Sequence, residues 1–114
     1  MLIGSFRHID GTFVGRIRTL SLDADITIVA AAPSDVESAP AWRVLLGTPE
    51  DGVEVGAAWD RNGERAGAYL ALQIDDPMFA SPLRANLVRA VQDPSEHLLL
   101  WSRPQPRDRS GSSA

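Results

Sequence analysis

The sequence predicts a mainly β protein: one small antiparallel meander of about 6–8 short strands, closing into a curled sheet, a barrel or a sandwich. Three observations carry this expectation. Leu22, Ala24, Ile26, Ile28 and Ala30 recur with period two, as a half-buried strand requires. The dipeptides Asp10-Gly11 and Asn62-Gly63 are strong hairpin signals, because their residues tolerate positive φ. Leu98-Leu99-Leu100-Trp101 is apolar on both faces, the pattern of a central or barrel strand.

Pairing outward from Asp10-Gly11 sets Ile9 opposite Thr12, His8 opposite Phe13 and Phe6 opposite Gly15, so that Phe6, Phe13 and Ile17 share one face. An aromatic ring covering a cross-strand glycine is a stabilising device. The next strand runs on to Ala30, with Asp23, Asp25 and Thr27 facing away from its apolar side. A tight turn at Leu20-Ser21 would pair Arg18 with Asp23 and Arg16 with Asp25. Leu-Ser is weak turn chemistry, and a bend in one long strand is the alternative.

Residues 31–41 read as a loop bracketed by Pro33 and Pro40, with room for barely a helical turn from Ser34. Trp42 to Leu46 is a strand, and Thr48 to Gly52 a turn with Pro49 at its second position. Val53 to Asp60 returns. A two-residue turn at Asn62-Gly63 would then place Arg61 opposite Glu64, Asp60 opposite Arg65, Trp59 opposite Ala66 and Gly56 opposite Tyr69. Val53, Val55, Ala57 and Trp59 would share the dry face with Ala66, Ala68, Leu70, Leu72 and Ile74. Asp75-Asp76-Pro77 ends that strand. Periodicity leaves Arg84–Val91 open between strand and helix. Gln92 to Ser95 is a turn and His97 to Arg103 the last strand. The domain is thus expected over 1–103, and the Pro-, Arg- and Ser-rich stretch 104–114 is expected to be disordered.

A chain of 114 residues with 44% hydrophobic and 23% charged residues suits one domain with one core. No apolar run approaches the roughly 20 residues of a membrane span. Arg7 and Asp10 interrupt the N-terminal stretch, so no signal peptide is expected and the expected location is the cytoplasm. There is no cysteine, hence no disulfide and no thiolate chemistry. All eleven basic residues are arginine, and fifteen alanines accompany them, a bias that GC-rich codon usage explains. Arginine nevertheless favours bidentate and stacked contacts over point-charge contacts. The net charge of -4 is uneven: residues 1–20 and 103–114 each carry +2, and residues 21–76 carry -8. Such an acidic middle repels duplex DNA.

Several short motifs, taken together, resemble a known family. Ile3-Gly4-Ser5-Phe6, Gly15-x-Ile17-x-Thr19-Leu20, Gly56-Ala57-Ala58-Trp59, Tyr69-Leu70, Asp75-Asp76-Pro77-x-Phe79, Ala85-Asn86-Leu87 and Leu100-Trp101-Ser102-Arg103 resemble, in order and spacing, the bacterial domain of unknown function 736. The resemblance spans about Ile3 to Arg103. It implies no activity. It implies a proteobacterial protein often encoded on plasmids and integrative elements near conjugation genes, hence an accessory role in a mobile element.

No catalytic constellation stands out. A nucleophilic triad needs a serine or cysteine beside a histidine held by a carboxylate, and His8 and His97 have no such sequence context. Asp75 and Asp76 are too few for a metal site, and Asp76 before Pro77 suits an Asx turn. The glycines lack the strand, lysine and helix of a phosphate loop. No catalytic residue, metal or cofactor is therefore expected. The candidate binding residues are Arg16, Arg18, Arg43, Tyr69, Arg84 and Arg103, which with Trp42, Trp59 and Trp101 could form a stacking and phosphate-binding face. Against this stand the expected carboxylate partners of Arg16 and Arg18 and the expected inward position of Trp59.

These features point first to a non-enzymatic module that binds a protein, either itself or a host or element protein, with no membrane and no small-molecule substrate. The acidic middle would suit a basic partner, including a nucleic-acid-binding protein whose surface it mimics or blocks, as in an anti-defence role. The alternative is a single-strand nucleic-acid binder, and a small enzyme ranks third.

Overall fold

Alternating apolar residues punctuated by turns fold the chain into eight consecutive antiparallel strands in a computed structural model, which describes residues 1–63 and 67–103. They are β1 (Leu2–Ile9), β2 (Thr12–Arg18), β3 (Asp23–Ala30), β4 (Trp42–Leu46), β5 (Val53–Gly63), β6 (Gly67–Ile74), β7 (Leu83–Arg89) and β8 (Glu96–Leu100). Each pairs with the next, and β8 returns to β1 to close a barrel. Closure leaves no sheet edge for another chain to extend. Residues 84–89 are therefore strand. The described residues hold no helix long and apolar enough to cross a membrane. The expected disorder of 104–114 lies outside the described residues.

An eight-stranded barrel is just wide enough for its interior to be filled by side chains. Here Phe6, Phe13, Ile17, Ile28, Val44, Leu72, Leu87 and Leu99 fill it. Two bulges bend the sheet into closure, one between Leu2 and Gly4 against β8 and one in β5 against Val44 and Leu45. They turn Ile3 and Val55 towards the core. At the seam the Met1 amino group donates to the Trp101 carbonyl, and the Trp101 N–H donates to the Met1 carbonyl, both at 2.8 Å.

The first two hairpins match expectation residue by residue. Phe6 lies opposite Gly15, His8 opposite Phe13 and Ile9 opposite Thr12, with Asp10 and Gly11 at φ 52° and 78°. Arg18 lies opposite Asp23 and Arg16 opposite Asp25. The weak Leu20-Ser21 turn is held by a side chain: Thr19 Oγ1 accepts from the N–H groups of Ser21 (3.3 Å) and Leu22 (3.0 Å).

The β5–β6 hairpin corrects the sequence expectation. Asn62 and Gly63 are not the turn; they are ladder residues opposite Ala68 and Gly67, and the positive φ falls at Gly67 (71°). Trp59 lies opposite Ala71, Asp60 opposite Leu70, Arg61 opposite Tyr69 and Gly56 opposite Ile74. The expected partners Glu64, Arg65 and Ala66 lie outside the described residues. Moving the partner of Trp59 from Ala66 to Ala71 is an odd shift, so it exchanges the faces. Trp59 and Ala57 point outward, whereas Gly56, Ala58 and Asp60 share the inner face with Leu70, Leu72 and Ile74. The bulge is the physical cause. It resets the alternation after Val55, so the inward phase that Val53 and Val55 suggest does not continue to Trp59. The new phase also places small Gly56 and Ala58 beside Val44, Trp42, Leu72 and Ile74.

Candidate binding face on the outer wall

The strand register brings two outward rows together. One runs Trp59, Ala71, Asn86, Leu100 and Leu2 across β5, β6, β7, β8 and β1. The other runs Arg61, Tyr69, Val88 and Leu98 beside it, and Ala57, Gln73 and Arg84 flank the first row on its opposite side. Because Ala71 is small, the wall dips into a saddle of about 480 Å³ lined by Trp59, Arg61, Gln73, Arg84, Asn86 and Leu100 among others. With strands about 4.8 Å apart, the first row spans roughly 19 Å. Its far end is apolar: Leu2 is 57% exposed and Leu100 38%.

Charge distinguishes this wall. Among the described residues, the row from Trp59 to Leu2 and its two flanks include Arg61 and Arg84 and no carboxylate; the outward carboxylate of β8, Glu96, lies beyond Leu98 opposite Arg7. Among the described residues Arg61 donates to the neighbouring Asp60 carbonyl, at 3.1 Å. The Trp59 indole N–H donates to the Ser38 carbonyl at 3.0 Å, so the 31–41 loop fixes the ring while leaving it half-exposed at the rim of the saddle.

The six sequence-level candidates do not form one site. Tyr69 and Arg84 lie on this wall, although Tyr69 faces Arg61 and Val88 and does not cover Gly56. Arg16 and Arg18 point outward from β2, on the other side of the seam. Arg16 grips Asp23 through two hydrogen bonds of 2.6 and 2.8 Å, which holds the Asp23 carboxyl below its usual range and raises the guanidinium. Arg43 is paired with Glu54 at 2.9 Å. Arg103 stands at the far end of the barrel over the Trp101 ring, 5.3 Å from its centroid. Trp59 and Arg61 were misassigned from sequence, one to the core and one to a pairing opposite Glu64, because both followed from the unshifted register. The bulge at Val55 is the signal that would have recovered them, and an isolated valine does not announce one.

A second cluster caps the barrel end that holds the 10–11 turn and the 31–41 loop. His8 stacks on Phe13 at 4.2 Å, and the His97 ring meets Phe13 edge-on at 4.9 Å and His8 at 5.8 Å. Trp42 packs edge-on against Phe13 and donates its indole N–H to Asp60 at 3.1 Å, so Asp60 serves this cluster. His97 Nδ1 is buried without a hydrogen-bond partner among the described residues. Burial, then the nearby His8 and Arg89, push the His97 imidazole below its ordinary range, with a weaker opposing contribution from the Ser95 backbone. In the adjoining turn, the Ser95 hydroxyl and N–H hold the Asp93 carboxyl low. Asp76 makes the expected Asx turn, accepting from the Met78 N–H at 2.9 Å.

A filled antiparallel barrel with a cationic, aromatic and aliphatic patch on its wall defines a small all-β barrel domain. The chain belongs to the family described as Protein of unknown function (DUF736), whose profile matches residues 2–104. Searches of curated proteins and of solved structures gave no match.

Proposed function

We propose that the protein is a non-enzymatic binding module, acting in the cytoplasm in accessory service to a mobile genetic element, which engages a protein partner through the outer wall of β5–β8. The observation that carries this is the carboxylate-free row of Trp59, Ala71, Asn86, Leu100 and Leu2 between Arg61 and Arg84. Protein interfaces are enriched in tryptophan, tyrosine and arginine and depleted in acidic groups at their centre. The core fills the barrel interior, which supports recognition from outside.

The complement of this wall is an apolar segment flanked by carboxylates. A basic partner, as the acidic middle suggested, would meet the opposite side, where Asp23, Asp25 and Glu54 are exposed. Single-stranded nucleic acid fits less well. The row ends in leucines that offer no stacking surface, and two arginines neutralise few phosphates. The test is purification from the native host of the parent and of Leu100→Glu and Trp59→Ala variants, with mass spectrometry of what accompanies each. One stoichiometric protein, present with the parent and lost with both variants, is the expected result. Recovery of nucleic acid, or of the same proteins with all three chains, contradicts it.

A further inference from the structure

The opposite end of the barrel from the histidine cluster carries a different cavity. The 19–22 turn, the 78–83 loop and residues 101–103 enclose a groove of about 690 Å³, within the size range of small-molecule sites. Its floor is apolar: Leu22, Phe79, Leu83 and Trp101 are half-buried there and rest on the core, with Pro82 beside them. Met78, 89% exposed, stands at the rim. A methionine left so open is a flexible apolar cover without a partner of its own.

Among the described residues, the charged lining residues are Arg84 and Arg103, and no carboxylate lines the groove. The Arg103 guanidinium lies over Trp101, and this stacking fixes a cation at the mouth of an apolar floor. Of the described carboxylates next to the lining in sequence, Asp23 is held by Arg16 and Asp76 accepts from the Met78 N–H. Residues 104–114 contain no apolar side chain other than proline and alanine. An apolar floor with cations only at its rim is complementary to one ligand chemistry.

We propose that this groove binds a small amphipathic carboxylate, its apolar body lying on Leu22, Phe79, Leu83 and Trp101 and its carboxylate meeting Arg103 and Arg84. The site is separate from the β5–β8 wall except at Arg84, which borders both. Arg103 and Met78 therefore probe it alone.

The test is an NMR titration of the full chain with decanoate and with decyltrimethylammonium, which carries the same chain and the opposite charge. Decanoate is expected to give saturable shifts at residues 19–22, 78–84 and 101–103 and at the Trp101 indole, with an affinity on the order of tenfold above that of the cation. Arg103→Glu removes this preference, and Met78→Asp weakens binding of decanoate, while spectra elsewhere stay unchanged. Unsaturable shifts spread over the surface, or equal affinities for the two detergents, overturn the proposal. So does saturable binding of the free acid N-acetyl-Leu-Leu without binding of decanoate, which would assign the groove to a peptide terminus. None of these outcomes depends on Trp59 or Leu100, so the groove and the wall stand or fall separately.

Discussion

At the scale of single residues, close approach of backbone and ring decides what is tolerated. A Cβ on Gly15 would strike the Ser5 carbonyl oxygen and lie 2.5 Å from Phe6 Cγ, whose ring fills the space a side chain would take. Gly15→Ala is therefore expected to cost about 1–3 kcal/mol, read as a lower denaturation midpoint. Gly11→Ala meets nothing within 4 Å and bears only the strain of its positive φ, about 1–2 kcal/mol. The other residue-scale expectation concerns His97. Its imidazole sits against His8 on β1, Phe13 on β2 and Arg89 on β7, where burial first, and then His8 and Arg89, disfavour its charged form. Its folded pKa is lowered, so the folded state resists a proton that the unfolded chain accepts. Stability is then complete above the unfolded value of 6.5 and falls as pH drops below it, until the folded form also protonates. Denaturation midpoints measured from about pH 7.5 to about pH 5 should decline in the parent and decline less in His97→Phe. Parallel curves would show that His97 does not resist charging.

At the scale of elements, what was legible in the sequence depended on whether a signal was local. The β1–β2 hairpin was readable to the residue, because Asp10-Gly11 sits between strands whose alternation runs unbroken from Phe6 to Ile17. The β2–β3 turn was readable in register but not in cause, since the Thr19 hydroxyl lies outside the Leu20-Ser21 pair it supports. Thr19→Val removes that acceptor and is expected to destabilise the protein by about 1 kcal/mol, seen in the same denaturation midpoint. Leu83–Arg89 showed no decisive period, and its pairing with β6 and β8 settles it as strand. The β5–β6 hairpin had the strongest turn dipeptide and the wrong register. A turn signal acts over two residues, whereas the bulge and the contacts with β4 and β7 act over the whole strand. The candidate site inherited that error: Tyr69 and Arg84 were found by residue type, and Trp59 and Arg61 were lost with the register.

At the scale of the molecule, closure governs both stability and recognition. Eight strands with two bulges leave an interior that apolar side chains fill, and they turn polar and aromatic residues outward. Each end of the barrel then has its own chemistry: a histidine and aromatic cap at one, an apolar groove with arginines at the other. The wall between them carries the proposed interface only because Trp59, Ala71 and Asn86 fall in one outward row. Nuclear Overhauser contacts of the Trp59 indole ring measure that row directly. Cross-peaks to the Ala71 methyl and the Asn86 side chain, with none to Leu70 or Leu72, are predicted. Cross-peaks from the ring to Leu70 and Leu72 would place Trp59 inside the barrel and remove the binding face.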